Sequence, residues 1–292
     1  MEITAKMVKE LRDKTNAGMM DCKKALIESN GDMEKAVEIL RKKGKAVASK
    51  RAGKETKEGI IVSKVSDDGK IGVLVEVNSE TDFVAKNDMF KKFANEIAEH
   101  ILAKSPSDID ELLSQKFLSD ESITVNDALM DIVGKIGENI KIKRMERLSA
   151  SEKEFIVDYS HLGGKLCVLV KAGFENDDTP SKQEFKEMLK NIAMQVAAMS
   201  PIFIKESDIP QETLEKEREI QKAQIKNKPE HVIDKIVEGK MKKYYSDVCL
   251  LHQPYVKEQK MTVKQYVEDV SKKLGDNLEI KCFVRFMVGE QA

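Results

Sequence analysis

Lys70-Ile71-Gly72-Val73-Leu74-Val75 is the stretch on which the fold of this chain turns. An apolar run of this length between turn residues reads as a buried strand. A near copy, Lys165-Leu166-Cys167-Val168-Leu169-Val170, follows 95 positions later. The same spacing pairs Ile61 with Ile156, Phe90 with Phe185, Ile97 with Ile192 and Ser105-Pro106 with Ser200-Pro201, without a gap. A second spacing, 138 positions, pairs Thr124-Val125 with Thr262-Val263 and Ile136-Gly137-Glu138-Asn139 with Leu274-Gly275-Asp276-Asn277. It continues through Ile142 and Ile280 to Arg147 and Arg285. Such self-similarity means two copies of one structural unit.

Each copy reads in the same order. A strand (60–65; 155–159), a turn (Asp67-Asp68-Gly69; Gly163-Gly164) and a second strand (71–77; 166–172) have the spacing of a β-hairpin. A long amphipathic helix follows (88–102; 182–199), ended near Ser-Pro, and then a further helix and a last strand (140–148; 278–288). The predicted class is α+β, with antiparallel sheets whose apolar strands face the helices. The second spacing exceeds the first by 43 residues, which places an insertion near Glu206–Val248. It is rich in Glu, Lys and Gln over 213–225, broken at Asn227-Lys228-Pro229 and helical again over 231–245. An antiparallel two-helix arm is expected, either a contact or dimerisation surface or a solvated hairpin.

Ahead of the repeat, residues 1–40 read as three short helices. Their apolar faces are Val8 and Leu11, then Cys22, Ala25 and Leu26, then Ala36, Val37, Ile39 and Leu40. Asp32 is placed to N-cap the third. Residues 41–57 hold eight basic side chains. They read as a solvated, partly helical linker or as a nucleic-acid contact; without interleaved aromatics to stack bases, the linker is favoured. The expected units are a head with its linker (1–54), a first copy (55–149), and a second copy in two parts (150–205, 249–292) around the arm (206–248).

Composition narrows the function classes. At 292 residues and 41% hydrophobic content the chain can build real cores. Lys and Arg (50) nearly cancel Asp and Glu (51), so no global field holds nucleic acid or an anionic membrane. No apolar run approaches the ~20 residues of a membrane span. The N-terminus is charged from residue 2 and has no signal core, so a cytoplasmic protein is expected. Cys22, Cys167, Cys249 and Cys282 are scattered without CxxC, as reduced thiols would be, and His100, His161, His231 and His252 form no ligand cluster. There is no GxxxxGK[ST] loop and no GxSxG elbow. Gly163-Gly164 lies between strands, where it makes a hairpin turn rather than a phosphate cradle. His161 has no nucleophile at recognisable spacing, and Asp67-Asp68 and Asp177-Asp178 lie in turns. The expectation is a protein-binding regulator with no metal, no cofactor and no catalytic residues.

The loop after the second strand stands out. In the first copy it is Asn78-Ser79-Glu80-Thr81-Asp82-Phe83-Val84-Ala85-Lys86; in the second, Asp178 occupies the place of Phe83. A core position would stay apolar in both copies, so Phe83 reads as an exposed anchor for another protein. The alternative is that Phe83, seven residues before Phe90, extends the buried face of the next helix, with Asp82 as its N-cap. Met19-Met20 beside Gly18 reads either as an adaptable contact surface or as core filling.

These residues resemble the elongation factor Ts family over essentially the whole chain. Val8-Lys9-Glu10-Leu11-Arg12, Thr15 and the run Ala17 to Leu26 resemble its N-terminal signature, and Thr81 to Lys86 its second. Lys135 to Ile140, Tyr159 to His161 with Gly163-Gly164, and Glu238 to Lys243 are further matches. The resemblance implies an exchange factor for the GTPase elongation factor Tu. It implies a ubiquitin-associated-like three-helix head docking on the GTPase domain through Arg12, Met19 and Met20, two related subdomains, and a coiled-coil arm. Thr81, Asp82, Phe83 and Val84 would enter the GTPase domain, where Phe83 wedges between helices and dislodges Mg²⁺. Ile136, Gly137 and His161 would touch Tu as well, and the whole contact would take in its GTPase domain and a second domain. No direct nucleic-acid or membrane partner is implied, and a homodimer through core or arm stays open. Two departures stand out: Asn16 where the family has Gly, and a chain that stops soon after Glu290, where many members continue into another helical module.

Overall fold

The computed structural model describes residues 3–15, 17–225 and 229–290. Asn16 and the break at Asn227-Lys228 lie outside the described residues. The head is α1 (Ala5–Thr15), α2 (Met19–Glu28) and α3 (Met33–Arg51). The first copy is β1 (Glu58–Val65), β2 (Ile71–Ser79), α4 (Asp82–Lys86), α5 (Asp88–Lys104), α6 (Ile109–Ser114), β3 (Lys116–Phe117), β4 (Asp120–Thr124), α7 (Val125–Ile136) and β5 (Ile140–Ser149). The second is β6 (Glu154–His161), β7 (Leu166–Gly173), α8 (Gln183–Met199), the inserted α9 (Gln211–Ala223) and α10 (Glu230–Val248), β8 (Pro254–Tyr255), β9 (Glu258–Thr262), α11 (Val263–Leu274) and β10 (Glu279–Met287).

The repeat holds down to the helix ends. α5 and α8 both stop at a serine in the left-handed region, Ser105 (φ 53°) and Ser200 (φ 47°). α7 and α11 both start from a threonine capping box, Thr124 with Asp127 and Thr262 with Gln265, and both stop at a left-handed glycine, Gly137 and Gly275. The sheets are antiparallel, ordered β1-β2-β5 and β10-β7-β6.

The sequence reading placed the strands against helices; the structure puts a second sheet on their other side. Val73, Val75 and Val77 pack with Phe90, Ile97 and Ile101 of α5, and Val168 and Val170 with Phe185 and Ile192 of α8. The alternate residues Ile61, Leu74, Ile156, Cys167 and Leu169 meet one another between the sheets. The core is thus four layers, helix, sheet, sheet, helix. Successive side chains on a strand point to opposite faces, and here both faces are covered. That is why the strands read as continuous apolar runs. Close stacking requires Gly72, where an added Cβ would come within 2.7 Å of Ile156.

The segment 41–57 is partly helical, as read, but its helix continues α3 through Arg51 and packs on α7 instead of lying free in solvent. A stripe at helical spacing, Ala36, Val37, Leu40, Gly44, Val47 and Ala48, runs along α3. Its first part joins the head's core and Ala48 reaches the core of the first copy. Gly44 and Gly134 let α3 and α7 cross closely; a Cβ on Gly134 would lie 2.4 Å from the Gly44 Cα. Arg41–Asp131 (3.6 Å) and Lys45–Asp127 (2.7 Å) flank the crossing. Hydrogen bonds from Lys45 and Thr124 pull the Asp127 carboxyl down to about 2.

In the insertion, α9 and α10 run antiparallel, with Lys222 on Asp234 at 3.2 Å. A small cluster of Ile209, Val237, Met241, Tyr245 and Cys249 seats its root. Among the described residues no helix is long and apolar enough to cross a membrane.

Candidate functional site

β2 delivers the chain to Ser79, whose hydroxyl donates to the Thr81 carbonyl at 2.9 Å. Thr81 then N-caps α4, accepting the Val84 N–H. α4 lasts one turn because Asn87 leaves the helical region (ψ 134°) and caps α5 in its place, accepting the Met89 N–H at 2.8 Å. This break decides between the two readings of Phe83. Phe90 is fully buried and Phe83 is 80% exposed, so the seven-residue spacing does not carry across. Asp82 caps neither helix; it pairs with Lys86 at 2.7 Å, which holds its carboxyl below the usual range. Val84 leans on the core of the first copy.

A second loop is bound to this one. Gly137 (φ 83°) turns the chain out of α7. Glu138 then accepts the Thr81 N–H at 3.0 Å and the Thr81 hydroxyl at 2.9 Å. Glu80 accepts the Asn139 N–H at 2.7 Å and the Arg51 guanidinium at 3.2 Å. Ile136 and Gly137 are therefore brought beside Thr81–Val84. The β6–β7 hairpin lies at the same end of the core. Lys165 pairs with Glu58 at 2.6 Å, and its charge also helps hold the Asp82 carboxyl down. There His161 is exposed, with Nδ1 3.1 Å from the Tyr159 hydroxyl. Its neighbour Leu162 is 71% exposed. Leu162, Gly163 and Gly164 all have positive φ, a tight hairpin turn as the sequence suggested.

Arg12, Met19 and Met20 sit elsewhere. All three are exposed, and both methionines point outward, so neither fills the head's core. They lie on helices packed against the N-terminal half of α3, whereas Arg51, at its other end, touches Glu80. A helix of 19 residues spans about 28 Å. The site residues thus form two separate patches.

The glutamate clamp was not foreseen. Its signal was present in the repeat, where Gly137-Glu138-Asn139 is matched by Gly275-Asp276-Asn277. Five of the eight basic side chains in 41–57, Arg41, Lys43, Lys45, Arg51 and Lys57, each pair with a carboxylate. A cleft of about 440 Å³ between head and α7 is lined by Lys14, Arg41, Lys43, Asp131 and Lys135 among others. Among the described residues, no group of three or more His, Cys, Asp and Glu is placed to hold a metal ion.

A helical head, a doubled α+β core and exposed apolar side chains at Phe83 and Leu162 are features of a protein of the docking class. Comparison gives the class its family. The family model described as Elongation factor TS matches residues 80–290. The elongation factor Ts of Trichlorobacter lovleyi is 47% identical over 292 residues, covering 99% of this chain and 94% of the relative. That of Clostridium novyi is 47% identical over 290 residues, covering 99% and 93%. The chain belongs to the elongation factor Ts family of translation elongation factors.

Proposed function

We propose that this protein binds elongation factor Tu and speeds release of its GDP, using Phe83 as the wedge. The observation that carries this reading is Phe83 itself, 80% exposed on a one-turn helix that is capped by Thr81 and clamped by Glu138. A large apolar side chain held rigidly in water gains by entering a partner, and little freedom is lost when it does. Nucleotide and Mg²⁺ in a P-loop GTPase are held by oriented backbone N–H groups and a P-loop hydroxyl. A wedge that shifts those groups weakens both. By reciprocity, a factor that prefers the empty, distorted GTPase lowers its nucleotide affinity by the same ratio. No covalent bond forms or breaks, so the chain needs no acid, base or nucleophile.

In this reading Asp82, Thr81 and Val84 present the wedge, and Ile136 and Gly137 widen the same contact. His161 reaches a second domain of Tu from the neighbouring hairpin. Arg12, Met19 and Met20 grip the GTPase domain from the other end of α3, the head (1–54) and the first copy (55–149) holding one partner at two points. The second copy (150–205 and 249–292) supports the core, and the arm (206–248), a coiled-coil hairpin, stands apart. The work is done in the cytoplasm, and neither a homodimer nor direct nucleic-acid contact is required. The test is release of labelled GDP from elongation factor Tu with and without this protein. Acceleration by orders of magnitude is expected; an unchanged rate refutes the reading.

A further inference from the structure

Thr81 caps α4 and so sets the direction of Phe83, yet it is held from outside its own element. Glu138, in the loop after α7, takes the Thr81 N–H through Oε2 at 3.0 Å and the Thr81 hydroxyl through Oε1 at 2.9 Å. The neighbouring pair runs the other way, Glu80 accepting the Asn139 N–H at 2.7 Å. Each loop therefore receives a carboxylate from the other. Glu80 also takes Arg51 from the end of α3, and the Asn139 amide donates to the Lys54 carbonyl at 2.7 Å. α4 has five residues and one buried side chain, Ala85. A single turn of helix is unstable alone, so its orientation depends on what holds its first residue.

The second copy carries the same clamp without an anchor. Asp276, at the place of Glu138, accepts the Glu175 N–H at 2.9 Å, the Asn176 N–H and the Thr179 hydroxyl. Asn277 donates to Glu175 at 3.0 Å. Asp178 stands where Phe83 would be, and it pairs with Lys182. One molecule thus holds two versions of the device, one under the exposed aromatic and one with only a fold to support.

We propose that Glu138 is a positioning residue for nucleotide exchange, presetting the tip that presents Phe83, while Glu80 and Arg51 tie that tip to the long helix of the head. This rests on the exchange reading above.

The test compares Glu138→Ala, Glu138→Gln and Asp276→Ala in the full chain. It measures kcat and KM for release of labelled GDP from elongation factor Tu, with urea unfolding in parallel. Glutamine can rebuild both contacts, its carbonyl accepting the Thr81 N–H and its amide donating to the Thr81 hydroxyl. Glu138→Ala is expected to lower kcat roughly tenfold, since two hydrogen bonds to a carboxylate orient the tip. Glu138→Gln restores kcat to within about threefold. Asp276→Ala unfolds at lower urea while keeping kcat within about twofold. Glu138→Met, which keeps the length of the side chain but accepts neither contact, serves as the second variant should alanine unfold the chain; its kcat falls at an unchanged midpoint. A wild-type kcat in Glu138→Ala or Glu138→Met overturns the proposal, as does an equal kcat loss in Asp276→Ala or a failure of glutamine to rescue. If the unaltered protein leaves GDP release unchanged, the exchange reading itself fails. If Phe83→Ala slows exchange and Glu138→Ala does not, only the positioning role falls.

Discussion

Replacing His100 by glutamine should leave the protein folded and remove part of its acid sensitivity. His100 is fully buried on α5. Its Nδ1 accepts the Leu118 N–H at 3.1 Å, and its Nε2 lies 2.8 Å from the side-chain oxygen (Oε1) of Gln115. Both contacts are met by the neutral ring protonated on Nε2. The second copy solves the same problem with an amide. Gln195 accepts the Val256 N–H at 2.8 Å and donates to Gln253 at 3.0 Å, at the matching places of the repeat. His100→Gln therefore substitutes one copy's solution into the other. At pH 8 it should cost less than about 1.5 kcal/mol, because no buried group loses its partner. His100→Ala orphans the Leu118 N–H and the Gln115 side chain, and two unsatisfied groups plus a cavity cost about 3–5 kcal/mol.

Burial lowers the His100 pKa below its ordinary 6.5, so the folded state binds fewer protons than the unfolded chain. Stability from this group is complete above 6.5 and is lost as pH falls from there towards the folded value. One such proton contributes a slope of at most about 1.4 kcal/mol per pH unit. The assay is urea unfolding between pH 8 and pH 5.5 for wild type, His100→Gln and His100→Ala. The glutamine variant should lack that component of the acid slope. A loss beyond about 3 kcal/mol in His100→Gln at pH 8, or a slope equal to wild type below 6.5, would refute the reasoning.

Phe83→Ala should slow GDP release from elongation factor Tu at least tenfold while shifting unfolding by less than about 0.5 kcal/mol, because the ring is mostly in water. An unchanged exchange rate returns Phe83 to the ordinary surface. Gly134→Ala should destabilise the chain by about 1–3 kcal/mol and prise the head from the core, since its Cβ meets the Gly44 Cα at 2.4 Å. Limited proteolysis reads this directly: cleavage within residues 52–57 should quicken, and unaltered kinetics count against the crossing. Glu76→Ala should cost about 3–5 kcal/mol in urea unfolding, because the fully buried Glu76 carboxylate holds Arg144 Nε at 2.7 Å and the guanidinium would lose its partner. A loss under about 1 kcal/mol would show that the Arg144 charge is satisfied by the Met287 carbonyl alone.

The site was half legible in the sequence. Asp178 at the repeat position of Phe83 pointed to exposure, but spacing to Phe90 pointed to burial, and periodicity does not register a one-residue break. Asn87 makes that break, and a cap at this position signals only once the backbone around it is known. The basic run at 41–57 read as partly helical, but it concealed the packing of that helix for a related reason. Its lysines dominate the composition, whereas the stripe of Gly44, Val47 and Ala48 that binds it to α7 is small and easily overlooked. The clamp went unread because Glu138 and Thr81 lie 57 residues apart and meet only when β5 pairs with β2.

By itself, the sequence determined the doubled architecture, the place of the insertion and the family, because these follow from local chemistry and from repetition along the chain. Tertiary structure alone decided which way Phe83 faces, what holds the loop beneath it, and that the strands are covered on both sides by sheet as well as helix. Those are matters of which distant segments come within hydrogen-bonding or van der Waals reach, and no local pattern in the chain encodes that distance.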